Sequence, residues 1–224
     1  SKPVDRTEWE MTPPTVNAYY NPTQNNINFP AGILQPPFYS NQADDAVNYG
    51  AVGVVIGHEL THGFDDQGRQ FDADGNLKDW WKKSDGEKFD RLAQCFVNEY
   101  GGFSPVPGIE LNGKLTLGEN TADNGGIRLA YLALMDDLAK KSVAVSKKDD
   151  GYTQPQQFFL AFAQIWCQNE RPEDARLRAQ TDPHAPGKYR TDGVVSNVPQ
   201  FSEAFGCKAG EKMYPAQGKG CRVW

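Results

Sequence analysis

The chain has 224 residues, a net charge of −6 and 23% charged residues, a composition typical of a soluble globular protein of one large or two small domains. Its acidic balance and lack of a Lys/Arg cluster exclude nucleic acid as the expected partner. The longest apolar run, near residues 51–56, is far too short to cross a bilayer. No signal peptide opens the chain. Residues 1–5 instead resemble the continuation of a longer polypeptide.

A β-hairpin is the first predicted element. Residues 15–20 and 27–29 have strand composition, and the polar segment 21–26 between them is typical of a turn. The exposed edge of this hairpin could pair with an extended peptide by strand addition, or it could be an ordinary edge. Residues 32–38 follow as an extended apolar segment, because their prolines disfavour a helix.

Residues 44–62 are predicted to form a helix that is apolar nearly all round and therefore buried. The helix ends in the motif H-E-x-x-H. Residues four apart are separated by about 40° of rotation and roughly 6 Å of rise, so His58 and His62 can direct two imidazoles at one zinc ion. Glu59 points elsewhere but can reach a water molecule that the metal activates. The alternative is a buried helix with two core histidines.

Glycines interrupt this helix at Gly50, Gly53 and Gly57, each costing about 1 kcal/mol relative to alanine. Their spacing predicts a smooth face that another helix or a substrate can approach. Gly63 suits the helix end. Residues 72–75 (DADG) resemble the start of a calcium loop, but the third carboxylate and the downstream glutamate of an EF-hand are missing, so we interpret them as a turn.

Further helices are predicted downstream. Residues 84–87 (SDGE) read as a capping box opening an amphipathic helix. The side chains expected to point inward are Phe89, Leu92, Phe96 and Tyr100. A Gly/Pro-rich loop at 101–113 leads to a second long helix, from about residue 118 to 140. Its apolar face consists of Ile127, Tyr131, Leu134 and Leu138.

A charged and exposed connector, residues 142–151, follows the second long helix. Residues 153–156 (TQPQ) then cap a third apolar helix at 158–167. Shorter helical pieces and a proline-punctuated tail complete the chain.

A hydrolytic zinc needs a third protein ligand and an open position. Glu119 and Asp123 are four residues apart at the start of the second long helix. One carboxylate can bind the metal while the other fixes the tautomer of a ligand histidine. The alternative is that both simply complement the positive end of a helix dipole.

The combination of H-E-x-x-H and the later G-E-N-x-A-D resembles the zinc signature of the neprilysin and endothelin-converting-enzyme family. Other similar segments are found at 16–19 (VNAY), 29–38 (FPAGILQPPF), 98–100 (NEY), 184–190 (HAPGKYR) and 221–224 (CRVW). The resemblance therefore extends through nearly the whole chain.

This resemblance implies a thermolysin-like zinc metallopeptidase core, mainly α with a small β-sheet (α+β). It implies one Zn²⁺ per chain with His58, His62 and Glu119 as ligands. Glu59 would be the general base. Asp123 would support a ligand histidine.

Substrate contacts are implied by the same resemblance. Asn17 and Ala18 would hold the peptide backbone along the edge strand, and Arg190 would grip its carbonyl side. His184 would face the developing oxyanion, a contribution of about 3–4 kcal/mol for such donors. Asp182 is a candidate to orient it. The residues that resemble the lining of the pocket for the apolar side chain after the scissile bond are Ile33, Phe38, Val55, Ile165 and Trp166.

The chain departs from the family pattern in its length. Family members carry a large N-terminal helical part that roofs the active site. We therefore expect residues 1–224 to be the C-terminal, zinc-binding catalytic portion of a longer metallopeptidase.

Four cysteines without C-x-x-C spacing leave disulfides in an oxidising compartment, or four free thiols, as alternatives. The family pattern implies a Cys95–Cys221 disulfide. It pairs Cys167 and Cys207 with upstream cysteines that are absent here, so we expect these two to be free, mispaired or bonded to another chain. The N-terminal part of the same protein is the expected partner. The expected location is extracytoplasmic: secreted, on a cell-surface ectodomain or periplasmic.

The predicted function is a zinc-dependent endopeptidase that cuts oligopeptides on the amino side of apolar residues, with water activated by Glu59. A non-catalytic zinc-containing peptide-binding module is the alternative from another class, although the intact Glu59 argues against it. A purely structural zinc site would instead need four protein ligands.

Overall fold

A continuous helical segment runs from Asp45 to His62 in the computed structural model of the chain, which describes residues 4–214 and 220–224. It comprises helix α1 (Asp45–Asn48), a π-helical turn (Tyr49–Gly53) and helix α2 (Val54–His62). The helix predicted over residues 44–62 is confirmed. The π-helical turn is a departure that an apolar pattern of helical period does not reveal.

The remaining helices pack around this segment. They are α3 (Lys83–Gly101), α4 (Leu117–Lys140), α5 (Gln154–Ile165), α6 (Pro172–Thr181), α7 (Gly187–Ser196) and α8 (Pro199–Phe205). The strands form two antiparallel pairs, β1 (Tyr19–Asn21) with β2 (Asn26–Asn28) and β3 (Lys148–Asp149) with β4 (Tyr152–Thr153). The structure is thus mainly helical with small sheets, which confirms the predicted fold class.

Glycine allows α2 and α4 to pack backbone to backbone. A Cβ added to Gly57 would lie 2.7 Å from the carbonyl oxygen of Gly126, and one added to Gly126 would lie 2.6 Å from the backbone nitrogen of His58. Gly50 approaches the backbone of Phe158 in α5 even more closely. The predicted smooth face is therefore used for helix packing at two of its three glycines, whereas Gly53 has no such contact.

One face of α2 is open to solvent, so the prediction that this helix is buried nearly all round is wrong there. Ile56 and Leu60 are 40% and 48% exposed. The helix contacts α4 on one side and the β1–β2 hairpin on another, and these neighbours leave its third face uncovered.

The main core lies between α4, α5, α7 and α8. Its fully buried side chains include Ile127, Leu134, Leu138, Phe158, Phe159, Phe162 and Val194. In α3 the predicted inward residues Phe89, Phe96 and Tyr100 are buried and Leu92 is half-buried. Among the described residues, no helix is both long and apolar enough to span a membrane.

Two predicted helix starts have different outcomes. The capping box at 153–156 is present, and the backbone N–H of Thr153 donates to Gln156 Oε1 at 3.0 Å. The one at 84–87 is absent, because α3 already begins at Lys83 and Ser84 lies inside the helix. The helix gains its first turn from backbone bonds that Asp85 and Gly86 donate to the carbonyl of Lys82.

The predicted turn at 72–75 and the predicted hairpin agree with the structure better than the predicted helix starts do. Asp72 accepts hydrogen bonds from the backbone of Asp74 and Asn76, each at 3.0 Å, and Gly75 has φ +79°, so the predicted turn is confirmed. The hairpin is also confirmed, but its first strand begins at Tyr19 and leaves residues 15–18 outside the ladder. Those residues have no strand partner within the described chain.

A disulfide joins Cys95 in α3 to Cys221, as the family resemblance implied. Cys167 and Cys207 are free within the described chain. Asn197 anchors the same C-terminal segment. Its Oδ1 accepts the backbone N–H of Cys221 at 2.6 Å, and its Nδ2 donates to Glu99 Oε2 at 2.8 Å.

The close approach of α2 and α4 predicts that Gly57→Ala destabilises the fold. Overpacking should outweigh the gain in helix propensity, for a net loss of about 2 kcal/mol in the free energy of unfolding. Urea denaturation monitored by circular dichroism measures this loss. Gly53→Ala is the matched control, because its nearest neighbours lie 3.5 Å or more from the added Cβ. Equal stability of the two variants would contradict the backbone contact.

Glu99 gives a prediction about pH. Burial raises the pKa of Glu99 to about 7, against an ordinary value of 4.5, and the bond from Asn197 only partly offsets this rise. Between these pH values the folded chain keeps a proton that the unfolded chain releases. Stability from this group is therefore lost as pH rises from 4.5 to 7.

Glu99→Gln should therefore stabilise the chain at pH 8 by about 3 kcal/mol and have little effect at pH 4.5. Urea unfolding at several pH values provides the test, with the exposed Glu110→Gln as control. A stability difference between Glu99→Gln and wild type that does not change with pH would refute the assignment.

Candidate metal and peptide site

A cleft of about 970 Å³ lies between α2, α4, the start of β1 and the segments near the ends of α5 and α7. It contains every predicted zinc ligand, catalytic residue and substrate contact. These are Asn17, Ala18, Ile33, Phe38, Val55, His58, Glu59, His62, Glu119, Asp123, Ile165, Trp166, His184 and Arg190. Residues far apart in the chain therefore meet on one surface.

Three side chains converge at the floor of the cleft. The Nε2 atoms of His58 and His62, one helical turn apart on α2, lie 2.9 Å from each other. Glu119 reaches across from the first turn of α4. Its Oε2 lies 3.3 Å from His58 Nε2, and its Oε1 lies 3.6 Å from His62 Nε2.

These distances fit a single zinc ion. Ligand atoms at 2.0–2.1 Å from a tetrahedral ion are about 3.3 Å apart, and two imidazoles with one carboxylate form a common hydrolytic zinc set. Glu119 Oε2 is also buried and has no hydrogen-bond partner among the described residues. A bound cation would give this oxygen the partner that a buried polar atom needs. The residues present therefore suit the metal that the motif predicts.

Glu59 is the other carboxylate close to the imidazoles. One ligand atom each from His58, Glu59 and His62 lies within 4.8 Å of the others. Glu119 is better placed to act as a third ligand, because one of its oxygens lies 3.3 Å from His58 Nε2 and the other lies 3.6 Å from His62 Nε2. Glu59 is left as a separate carboxylate that is only 5% exposed. Burial raises its pKa, and the imidazoles counter part of that effect.

Each imidazole has a second carboxylate behind it. His58 Nδ1 lies 2.8 Å from Asp123 Oδ1, and His62 Nδ1 is hydrogen-bonded to Asp65 Oδ2 at 2.7 Å. Such partners keep Nε2 free for a metal. Sequence reasoning proposed Asp123 and missed Asp65. Its position three residues after His62, just beyond the helix end, is the signal that could have found it.

The surroundings of the imidazoles favour positive charge. Burial alone would lower the pKa of His58, but Asp123 and Glu119 outweigh it and raise the pKa to about 10. Burial likewise opposes the ionisation of Glu119, yet the neighbouring imidazoles and Arg190 hold its pKa below the ordinary value. A cation at this position is thus electrostatically compensated by the chain.

Arg190 extends this charge network from α7. Its Nε and Nη2 donate to the two oxygens of Asp123 at 2.8 and 2.7 Å, and its guanidinium carbon lies 3.9 Å from the ring centre of Trp166. Nη2 is also 3.7 Å from Glu119 Oε2. The guanidinium is therefore held in one orientation, in which Nε and Nη2 bind Asp123 and Nη1 does not.

His184 lies on the open side of the floor, with its side chain 42% exposed and Nε2 3.3 Å from Glu119 Oε1. Asp182 Oδ1 accepts its backbone N–H at 2.8 Å and contacts Nδ1 at 2.9 Å. Arg178 Nε in turn donates to Asp182 at 2.8 Å. The suggestion that Asp182 orients His184 thus agrees with the contacts.

Apolar side chains line the cleft beside the floor. Val55 is on α2, Ile33 and Phe38 are on the segment before α1, and Ile165 and Trp166 are at the end of α5. Asn17 and Ala18 directly precede β1 and also line the cleft, although they lie outside the strand ladder.

The chain matches a known protein family along most of its length. Residues 17–221 match Peptidase family M13, and the chain belongs to that family. It is 50% identical over 223 residues to endothelin-converting enzyme 1 of Bos taurus and of Homo sapiens. It is 46% identical over 224 residues to neprilysin-3 of Drosophila melanogaster. The family resemblance read from the sequence is confirmed.

Solved structures give the same result. The zinc metalloprotease ZMP1 of Mycobacterium tuberculosis, in complex with an inhibitor, superposes with a TM-score of 0.94 at 44% identity, covering 100% of this chain and 34% of that one. PepO of Lactobacillus rhamnosis HN001 superposes with a TM-score of 0.86 at 38% identity, covering 98% of this chain and 33% of that one. The alignments with endothelin-converting enzyme 1 cover 100% of this chain and 29% of those relatives' length.

The contact between His62 and Asp65 leads to a prediction about zinc affinity. Asp65→Asn keeps an oxygen for the backbone N–H groups of Gln67 and Gly68, which Asp65 Oδ1 accepts at 2.8 and 2.7 Å. It loses the acceptor for His62 Nδ1. Zinc should then bind about 10- to 100-fold more weakly.

Competition titration against a chromogenic chelator measures the zinc affinity. Asp66→Asn is the matched control, because it removes the neighbouring charge without touching the bond to His62. Equal zinc affinity of Asp65→Asn and wild type would show that Asp65 does not support the ligand.

Proposed function

We propose that this chain is the zinc-bearing catalytic portion of an endopeptidase that cuts oligopeptides on the amino side of apolar residues. The observation that carries the proposal is the position of Glu119. It comes from a different helix yet approaches both imidazoles of the motif, while Glu59 remains beside them as a separate, buried carboxylate.

His58, His62 and Glu119 would hold a single zinc ion. When bound, zinc supplies a Lewis acid that polarises a peptide carbonyl and lowers the pKa of a water molecule. Asp123 and Asp65 keep the two imidazoles turned toward it, since each contacts the Nδ1 atom on the far side of its ring.

Glu59 is proposed as the general base. Its carboxylate would accept a proton from the attacking water and later deliver it to the nitrogen of the leaving amine. Two observations support this role: ligand atoms of Glu59, His58 and His62 lie within 4.8 Å of one another, and Glu59 is only 5% exposed.

His184 is proposed to stabilise the carbonyl oxygen as its charge develops, and Arg190 is proposed to bind the carbonyl side of the peptide. Asp182 holds His184 with Nε2 near Glu119, at the edge of the floor. Asp123 holds Arg190 in a bidentate pair, which leaves Nη1 for a peptide carbonyl. Donors fixed in advance cost no reorganisation when the charge appears.

Substrate selection is proposed to come from two surfaces. Within the described residues the backbone of Asn17 and Ala18 has no ladder partner, so it is proposed to offer hydrogen-bonding groups to an extended peptide. The apolar cluster around Phe38 and Trp166 would accept the side chain that follows the scissile bond. Oligopeptides are thus the proposed substrates.

The rest of the longer protein is the proposed partner of this chain. Because the chain spans 29% of the length of its curated relatives, Cys167 and Cys207 are proposed to pair with cysteines elsewhere in that protein. The Cys95–Cys221 disulfide supports an oxidising, extracytoplasmic location.

The decisive variant is Glu59→Gln in the zinc-loaded chain. Turnover of a fluorogenic oligopeptide should fall at least about a hundredfold, because the variant cannot accept the proton. Zinc content and peptide affinity should not change. Glu87→Gln, an exposed glutamate on α3, is the control and should keep full turnover. Equal turnover in Glu59→Gln and wild type would rule out the proposed base, and a non-catalytic peptide-binding module would bind peptide with no turnover in either.

A further inference from the structure

Asn48, the last residue of α1, reaches back to the segment that precedes this helix. Its Oδ1 accepts the backbone N–H of Ser40 at 3.0 Å, and its Nδ2 donates to the carbonyl of Ser40 at 2.8 Å. A third contact joins Nδ2 to the carbonyl of Ala43 at 3.4 Å. One side-chain amide therefore pairs with both backbone groups of a single residue, as a strand neighbour would.

The π-helical turn makes a second connection to the same segment. The backbone N–H of Val52 donates to the carbonyl of Phe38 at 3.0 Å. Phe38 and Ser40 are thus both tied to the helical segment, at points four residues apart along it. We call these bonds from Asn48 and Val52 the Asn48 clamp.

The Asn48 clamp acts on one wall of the cleft. Phe38 lines the cleft together with Val55, and Val55 lies on the same helical segment, three residues after Val52. That segment continues to His58 and Glu59. Phe38 and the side chains at the floor of the cleft are therefore connected through the same continuous helical segment, Asp45 to His62.

Phe38 is packed less tightly than Ile33, which also lines the cleft and belongs to the same segment. Ile33 is 2% exposed, and the backbone N–H of Gly32 donates to the carbonyl of Pro13 at 2.8 Å beside it. Phe38 is only half-buried. Its position thus depends on the backbone bonds of the clamp more than on packing.

We propose that Asn48 is a positioning residue for specificity, which sets the place of Phe38 and so the selectivity of the cleft for the side chain after the scissile bond. This inference rests on the function proposed above. Asn48 is not among the residues that line the cleft, and its side chain bonds to Ser40 and Ala43. Its effect should therefore depend on the size of the substrate side chain that follows the scissile bond.

The test is Asn48→Leu, which is similar in volume and removes all three polar contacts. Asn41→Leu is the matched control, since Asn41 is exposed in the same segment. Both variants and wild type, loaded with zinc, are assayed with capped oligopeptides that differ only in having leucine or alanine after the scissile bond.

In Asn48→Leu the ratio of kcat/KM for leucine over alanine should fall about fivefold or more, a part of the discrimination that apolar pockets supply. The loss should come mainly from KM for the leucine peptide. The alanine peptide, the zinc content and the control variant should stay within twofold of wild type. Asn48→Asp keeps the acceptor for Ser40 but loses the donors, so it should give an intermediate ratio, and it serves if Asn48→Leu does not fold.

Amide hydrogen exchange supplies a readout independent of turnover. The N–H of Ser40 should exchange at least tenfold faster in Asn48→Leu than in wild type, and unchanged protection would overturn the clamp. An equal loss of kcat/KM for both peptides would also overturn the inference, because it indicates general destabilisation. A wild type that turns over neither peptide, or shows no preference for leucine, would instead show that the proposed function has failed, and the specificity role with it.

Discussion

The backbone contact between α2 and α4 is the constraint on which the rest of the site depends. Gly57 and Gly126 let the two helices approach until their main chains touch. Side chains of ordinary size at these positions would push the helices apart. Only at this separation can Glu119 and Asp123 from one helix reach the imidazoles of the other. Glycine lowers helix stability, but at these two positions it allows the separation that the candidate metal site requires.

The charged side chains next to this contact alternate in sign. Carboxylates surround the two imidazoles, and Arg190 offsets the charge of Asp123 behind them. Buried ions are tolerated only when they are paired and hydrogen-bonded. The carboxylates at the floor of the cleft therefore suit a bound cation, and Glu119 is better placed than Glu59 to contact both imidazoles. The different roles proposed for these two glutamates rest on their positions on different helices.

Much of the site could be predicted because its central motif is local. The turn of an α-helix alone brings His58 and His62 together. Glu119 required the family resemblance, since its helix could have packed elsewhere. Asp65 was missed because its contact depends on how the chain leaves α2. The π-helical turn, and with it the support of Phe38, depends on tertiary packing that no periodicity reports.

Zinc-edge X-ray absorption, combined with metal analysis of wild type and Glu119→Gln, tests whether Glu119 completes a zinc site with His58 and His62. We expect a single zinc ion per wild-type chain, bound by two imidazoles and oxygen ligands that include an exchangeable water. In Glu119→Gln we expect a changed oxygen environment and a zinc affinity that is lower by at least about tenfold. Identical spectra and zinc affinities for the two proteins, or four protein ligands in wild type, would contradict the role of Glu119.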